Sequence, residues 1–156
     1  MFRFDRLFKE FLSKAATETV QKVWGTEYWL VNNKSICVKI LDVMPLGFSS
    51  IHAHREKREF FHLLRGDIFI YTPSAYGLIQ AVVDPQTFHC FGSFCGGTLL
   101  EVSTFHKETD VVRICPSVRC ETKGELNAII RDIPKYFGTA LEYQSVQEFF
   151  ENASLV

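Results

Sequence analysis

The sequence predicts one all-β domain, an antiparallel sandwich or barrel, with an amphipathic helix before it and short helices after it. The middle of the chain consists of short stretches rich in Val, Ile, Phe and Tyr, separated by turn residues and without helical spacing between them. The segments on either side instead have apolar residues at three- and four-residue steps. A length of 156 residues with 47% hydrophobic residues suits one compact domain rather than two.

An amphipathic helix is predicted within residues 1–22. Its apolar positions recur at helical spacing and are Phe4, Leu7, Phe8, Phe11, Leu12 and Ala15. Acidic and basic residues are mixed on the other side, which disfavours a membrane-surface helix. We therefore expect the helix to cover the core or to lie at the seam of a homodimer.

Eight strands are predicted in residues 24–114, the expected barrel core. They span 27–31, 35–43, 60–64, 67–72, 77–83, 87–91, 98–104 and 111–114. Turn residues separate them, including Arg65-Gly66-Asp67 and Gly96-Gly97. Short strands at this spacing are typical of an antiparallel barrel or sandwich.

Residues 116–156 predict a helical tail that packs on the same domain. Leu126, Ile129 and Ile133 share one helical face, and Pro134 is expected to end that helix. Ser145 and Glu148 have the spacing of a capping box that opens a second short helix.

The composition excludes several classes of protein. A net charge of -1 gives no general attraction to nucleic acid or anionic lipid, so neither is expected as a partner. No apolar run approaches the roughly 18–20 residues that span a bilayer, and charges interrupt any signal-peptide core. Five cysteines without a CxxC pair indicate mostly buried thiols rather than a disulfide framework, and a cytoplasmic location is the expectation.

One stretch has the residue types and spacing of a metal site. His52 and His54 are two residues apart, so on a strand their side chains point to the same side. Glu59 begins the next apolar run and can approach the same ion from a neighbouring strand. His89 enters a later strand as a further candidate ligand, with His106 as its alternative. This donor set suits one divalent transition metal, Zn, Mn, Fe or Ni.

These residues resemble the two motifs of the cupin superfamily, G(x)5HxH(x)3-4E(x)6G and a later PxGxxH. The first motif matches except that four residues rather than five separate Gly47 from His52. In the second, Asp84 and Gln86 stand where the family has proline and glycine. The resemblance implies a single cupin barrel, a double-stranded β-helix or jelly roll, with His52, His54, Glu59 and His89 as metal ligands.

A narrower resemblance covers residues 24–114. The segment WGTEYWLV from Trp24, the Lys57-x-Glu59 step and the segment EVST from Glu101 are similar to the cupin domain of type II mannose-6-phosphate isomerases and D-lyxose isomerases. The resemblance implies a metal-dependent aldose-ketose isomerase, or an epimerase, acting on a sugar or sugar phosphate. An iron-dependent cupin dioxygenase and a non-catalytic sugar-binding module remain alternatives.

Such a reaction needs a base near the substrate carbon. Glu101 shares a strand face with Ser103, and it is the candidate base if that face points inward; on an outward face it would be a surface carboxylate. Lys39 would then either pair with Glu101 or orient the sugar.

Substrate anions need binding partners as well. Lys57, Arg65 and Arg113 are candidates to contact a phosphate, since Lys and Arg donate hydrogen bonds to its oxygens. Ser103 is a further candidate substrate ligand, whereas His62 has the opposite strand parity from Glu59 and is expected on the outer face.

Overall fold

The structure, a computed structural model, describes residues 2–73, 75–77 and 79–141. Within these residues the chain is mostly β-strand with a helix at each end, which confirms the predicted class. The helices are α1 (Phe2–Ala15) and α2 (Lys123–Leu141), and a 3₁₀ helix spans Glu108–Asp110. The strands are β1 (Glu18–Lys22), β2 (Gly25–Asn32), β3 (Cys37–Val43), β4 (Gly47–Phe48), β5 (Ile51–His54), β6 (Glu59–Thr72), β7 (Ala75–Gly77), β8 (Gln80–Val83), β9 (Cys90–Ser103), β10 (Val111–Cys115) and β11 (Val118–Arg119).

The strands pair antiparallel in a sheet that curls into a half-barrel. One path through it runs β1-β2-β3-β9-β4-β11, and β6 pairs with β9 and also carries β7 and β8. A second, two-stranded sheet joins β5 to β10. A bridge between His52 and His89 connects β5 to the residue before β9. This topology brings the two predicted histidine motifs together.

Two predicted turns lie inside long strands instead of ending them. Gly66 of β6 pairs with Gly97 of β9, and the strand register shifts on both sides of Gly66. Gly66 and Gly96 have φ values of 87° and 91°, and a Cβ on Gly66 would lie 2.3 Å from the Gly96 carbonyl oxygen. These glycines therefore form bulges, which let two 14-residue strands curl around the barrel.

The predicted N-terminal helix is too long at its carboxyl end. Helix α1 ends at Ala15, and residues 18–22 form β1, which pairs with β2. The Thr17 backbone N–H and hydroxyl both donate to the Trp29 carbonyl oxygen, at 2.8 and 2.9 Å. The β-branched residues Thr19 and Val20 then favour a strand.

The prediction that Pro134 ends a helix is wrong, because α2 continues through it to Leu141. An internal proline removes a backbone hydrogen bond and costs about 3 kcal/mol. Ile133 and Phe137 are buried against Phe48, and this burial of apolar surface offsets the loss. The second helix predicted from Ser145 lies outside the described residues.

Three apolar clusters form the core. In one, Leu12 of α1 packs on Tyr28 and Ile40; in another, α2 packs on residues of β4, β5 and β6. The third contains no helix residue and includes Trp24, Leu41, Val43, Phe61, Ile68, Ile70, Val83, Phe91 and Leu99. Several side chains of this third cluster form the floor of a polar cavity.

Neither described helix is both long and apolar enough to cross a membrane. The five cysteines are free thiols, as predicted. Cys37, Cys90 and Cys120 are buried, Cys115 is half-buried and Cys95 is exposed.

Candidate active site

A cavity of about 90 Å³ opens within the curled sheet, above the apolar floor. A buried water needs about 10–15 Å³ of such space, so the cavity holds several waters or one end of a small molecule. Its polar lining comes from seven strands and four connecting segments and comprises Lys22, Glu27, Lys39, Ser49, Ser50, His52, His54, Lys57, Glu59, Glu101, His106, Arg113 and Ser117.

Three imidazoles and one carboxylate meet at one wall of this cavity. The rings of His52 and His89 have centroids 4.4 Å apart, those of His52 and His54 5.3 Å, and those of His54 and His89 6.2 Å. Glu59, the first residue of β6, places Oε2 3.0 Å from His89 Nε2 and Oε1 3.7 Å from His54 Nε2. We call His52, His54, Glu59 and His89 the histidine cluster.

Backbone carbonyls fix the orientation of two of the rings. His52 Nδ1 lies 2.9 Å from the Ser50 carbonyl oxygen, and His89 Nδ1 lies 3.1 Å from that of Thr87. Because a carbonyl only accepts hydrogen bonds, each Nδ1 carries the hydrogen, and in its neutral form a ring of this kind keeps a lone pair on Nε2. Histidines that bind metals are commonly held in this way.

The facing atoms of the histidine cluster lack hydrogen bonds. Glu59 Oε2 and His89 Nε2 are buried without a hydrogen-bond partner, although they are only 3.0 Å apart. His54 Nδ1 is also buried without a hydrogen bond, but it lies on the side of Asp110, 3.5 Å from Oδ2, and not toward the cluster. Buried polar atoms normally have partners, and a cation shared by Oε2 and Nε2 would satisfy both. The donors thus fit a divalent metal chemically, although in the described part of the chain no three His, Cys, Asp or Glu side chains are arranged so that they could hold an ion as they stand. Metal binding stays a prediction.

The protonation states of the cluster also suit metal binding. Burial lowers the pKa of His54 to about 3. Burial, together with the neighbouring His89 and His54 rings, lowers the pKa of His52 well below its ordinary value. Burial alone would raise the pKa of Glu59, but the adjacent His89 and Lys57 hold it well below its usual range. Neutral imidazoles and an ionised carboxylate are the forms that bind metals.

A buried lysine links the histidine cluster to the candidate base. Lys57 Nζ lies 2.6 Å from both Glu59 Oε1 and Glu101 Oε1, and Lys57 is 3% exposed. Burial disfavours its charge, yet Glu101 and Glu59 raise the pKa of Lys57 above its ordinary value. The Asp110 carboxylate fixes the loop by accepting the backbone N–H groups of Glu56 and Lys57. We call the Glu59-Lys57-Glu101 chain the lysine bridge.

Glu101 is buried and its side chain lines the cavity. The Ser103 hydroxyl donates to its Oε1 at 3.3 Å. Burial raises the pKa of Glu101, but Lys57 and Lys39 outweigh this effect and hold it below its ordinary value. The carboxylate is therefore ionised and able to accept a proton.

Strands β1, β2 and β3 contribute a second wall of the cavity, which is a closed network of partners. Lys39 pairs in register with Glu101, yet its Nζ forms an ion pair with Glu27 Oε2 at 3.4 Å and lies 4.2 Å from the Trp29 ring centre. Trp29 Nε1 donates to the same Glu27 oxygen at 2.9 Å. Lys22 Nζ is 3.7 Å from the other oxygen. We call Glu27, Lys39, Trp29 and Lys22 the Glu27 wall.

Two other predicted residues lie near the cavity mouth or wall. Arg113 is exposed and pairs in register with His52 across β5 and β10. His106 lines the cavity, with its ring 4.8 Å from that of Trp29 and 6.4 Å from that of His54. His89, rather than His106, lies against Glu59.

Arg65, predicted to bind substrate, lies away from the cavity. Its Nε donates to Thr98 Oγ1 at 2.8 Å, and its guanidinium carbon lies 5.4 Å from the Phe8 ring centre of α1. Because β6 runs unbroken from Glu59, six residues carry Arg65 roughly 20 Å along the strand. Closeness in sequence to the histidine motif was therefore misleading.

Lys57, predicted to contact a substrate phosphate, is buried, and two carboxylates already share its ammonium. His62 lies opposite Leu100, which packs with the α1 cluster, so it is on the outer face as predicted. Ser103 contacts Glu101 and is not among the lining residues.

Sequence reasoning missed Glu27 and Asp110 as residues of the site. Glu27 is the one charged residue of the strand GTEYWLVN, and a lone acid in an apolar strand could have signalled it. Asp110 acts through backbone N–H groups 53 and 54 residues away, and no sequence spacing predicts such a contact.

No protein-family model and no curated protein matches this sequence. Solved structures do resemble its fold. An RmlC-like cupin from Shewanella frigidimarina is 16% identical, with 59% of this chain and 86% of that chain covered and a TM-score of 0.54. The Streptomyces protein Pac13, described as a nucleoside dehydratase, is 18% identical over 68% of this chain and 91% of its own, with a TM-score of 0.54. Oxalate decarboxylase from Bacillus subtilis is 11% identical over 63% of this chain and 30% of its own, with a TM-score of 0.53.

At these identities the likeness concerns the path of the backbone, and it agrees with the curled antiparallel sheet and with the two motifs that meet in its cavity. The chain therefore has the cupin jelly-roll fold.

Proposed function

We propose that this protein is a metal-dependent isomerase of a sugar or sugar phosphate, or an epimerase of the same proton-transfer type. One observation carries the proposal: an ionised, buried carboxylate, Glu101, lies beside a group of buried donors that lack partners. The first feature suits removal of a proton from carbon, and the second suits a metal.

His52, His54, Glu59 and His89 would hold one divalent transition metal. When bound there, such an ion acts as a Lewis acid that polarises the carbonyl and hydroxyl oxygens of a substrate. The sequence motif names these four donors, and the unpartnered Glu59 and His89 atoms support the assignment.

Glu101 is the base in this proposal. Aldose-ketose isomerisation moves one proton between C1 and C2, and a carboxylate can take it from one carbon and return it to the other. Lys57 and Ser103 hold Glu101 Oε1 by hydrogen bonds, which leaves Oε2 as the oxygen for the proton. The apolar floor, including Trp24 and Phe61, limits water beside the reacting carbons.

The size of the cavity supports a substrate that enters by one end. About 90 Å³ admits the reacting carbons of an open-chain sugar, and the remainder would extend through the mouth. Arg113 at that mouth is placed to contact a phosphate. Lys39, on the Glu27 wall, is placed to orient sugar hydroxyl groups with the N–H groups that Glu27 does not bind.

The fold alone does not choose the reaction, since proteins of this shape include a nucleoside dehydratase and an oxalate decarboxylase. The deciding experiment follows hydrogen exchange. The purified protein is assayed for bound metal and then incubated in D₂O with a panel of aldoses, ketoses and their phosphates. We expect deuterium at C2 of one substrate, loss of exchange after chelation and recovery when metal is restored.

Two results would contradict the proposal. Oxygen consumption without deuterium incorporation would indicate the iron-dependent dioxygenase alternative. Sugar binding without exchange or oxygen consumption, with the metal loaded, would indicate a non-catalytic binding module.

A further inference from the structure

The two carboxylate oxygens of Glu59 have different surroundings. Oε1 accepts a hydrogen bond from Lys57 Nζ at 2.6 Å. Oε2 has no hydrogen-bond partner and faces His89 Nε2 at 3.0 Å. Glu59 is 2% exposed, so the protein rather than solvent sets this difference.

We propose that Lys57 is a positioning residue that reserves Glu59 Oε1 and so makes Glu59 a ligand through one oxygen only. The proposal rests on the proposed metal-binding function. An ammonium group donates hydrogen bonds, accepts none and carries the same sign of charge as a metal ion. Oε1 therefore cannot serve Lys57 and the metal equally well, whereas Oε2 is free to bind the metal.

Lys57 is held firmly in this position. Asp110 accepts its backbone N–H at 3.2 Å, and Glu101 Oε1 binds its Nζ at 2.6 Å. A movement of Nζ away from Glu59 would also weaken its ion pair with Glu101. A buried charge without a close partner is costly in free energy. One consequence is functional: a carboxylate that binds through one oxygen leaves one more coordination position for substrate oxygens.

The chain supplies a matched control. Lys39 is a second lysine in the same cavity, and it is 3% exposed like Lys57. Its ion pair is with Glu27, and no contact between Lys39 and Glu59 is observed among the described side chains. Its removal changes the charge of the cavity as much as removal of Lys57 but leaves Oε1 reserved.

The test uses Co²⁺ added to metal-free protein, with visible absorption and Co²⁺ affinity as readouts. The variant combines Lys57→Met with Glu101→Gln, so that no uncompensated carboxylate is left at position 101. We expect weaker visible absorption, because Co²⁺ bands lose intensity as the coordination number rises. We also expect Co²⁺ to bind about tenfold more tightly, within the range that changes around metal ligands produce. Glu101→Gln alone and the charge-matched pair Lys39→Met with Glu27→Gln should keep the wild-type spectrum.

Unchanged absorption and affinity in the double variant would overturn the proposal. Weaker affinity would overturn it as well, because Lys57 would then only hold Glu59 in place. If the wild-type protein binds no Co²⁺, the metal-dependent function fails together with this proposal; if it binds Co²⁺ and the double variant behaves identically, only the role of Lys57 fails. Should the double variant not fold, Lys57→Gln is judged by the same two readouts.

Discussion

The two polar walls of the cavity are built in opposite ways. On the Glu27 wall, the carboxylate has two lysines and an indole N–H as partners. In the histidine cluster, buried atoms of His54, Glu59 and His89 lack hydrogen bonds. A buried polar atom without a partner costs roughly 1–3 kcal/mol, so a folded chain keeps such atoms where a ligand completes them. The unpartnered buried atoms, more than charge itself, therefore support the histidine cluster as the proposed metal-binding wall.

The lysine bridge connects the histidine cluster to the candidate base. Lys57 satisfies one oxygen of Glu59 and one of Glu101, and each carboxylate keeps its second oxygen for another use. The histidine cluster and the candidate base are thereby held in a fixed relation across 2.6 Å contacts.

The largest expected effect comes from substitution of the candidate base. Glu101→Gln should lower the rate of solvent deuterium exchange into substrate by about 10²–10⁴-fold, because a general base typically contributes that much. Rates are measured by mass spectrometry on metal-loaded protein. Glu27→Gln, which removes a buried carboxylate from the Glu27 wall, should lower the rate less than tenfold. Equal losses in the two variants would mean that Glu101 is not the base.

The next effect concerns metal binding. His52→Ala removes one donor of the histidine cluster and should weaken metal affinity at least a hundredfold, since even the groups behind metal ligands matter by 10–100-fold. Isothermal titration with Zn²⁺ measures it. His62→Ala is the matched control, because His62 stacks on Phe60 and is not among the residues that line the cavity. A histidine cluster variant with wild-type affinity would exclude the proposed ligands.

Much of the fold follows from local sequence signals, and the failures have specific causes. Strand alternation placed Glu59 and His62 on opposite faces of one strand, because the two-residue period of a strand is a local property. Glycine signals were misinterpreted at Gly66, since the same backbone freedom serves a turn and a bulge. Pro134 was misinterpreted because the burial of Phe137 against the sheet outweighs a local preference.

In the candidate site, too, some residues could be predicted from local spacing and others could not. The spacing of His52, His54 and Glu59 along the chain is enough to bring them together from two consecutive strands, β5 and β6. The partners of Lys57 and Lys39 depend on which strands become neighbours and on which buried carboxylate is nearer. Local sequence spacing predicts neither of these. Long flexible side chains are consequently the hardest to assign from sequence.

The difference between the walls also predicts effects of different size on the stability of metal-free protein. Lys39→Met should destabilise it by about 1–3 kcal/mol, because Glu27 loses a buried partner. His54→Leu should change stability by less than about 1 kcal/mol, because the lost imidazole has an unpartnered nitrogen and its replacement is apolar. Urea unfolding followed by circular dichroism gives both values. A larger loss for His54→Leu than for Lys39→Met would reverse the comparison.

The smallest expected effect separates two roles for Ser103. The sequence suggests that its hydroxyl binds substrate, but that hydroxyl donates to Glu101 at 3.3 Å and Lys57 holds the same oxygen at 2.6 Å. Ser103→Ala removes the weaker of these two restraints, so kcat should fall about three- to tenfold, in keeping with a bond worth about 1 kcal/mol. KM should stay unchanged, because the side chain orients the base without touching the sugar. Steady-state kinetics with the metal-loaded protein measures both constants, and a raised KM at constant kcat would return Ser103 to the substrate-binding role.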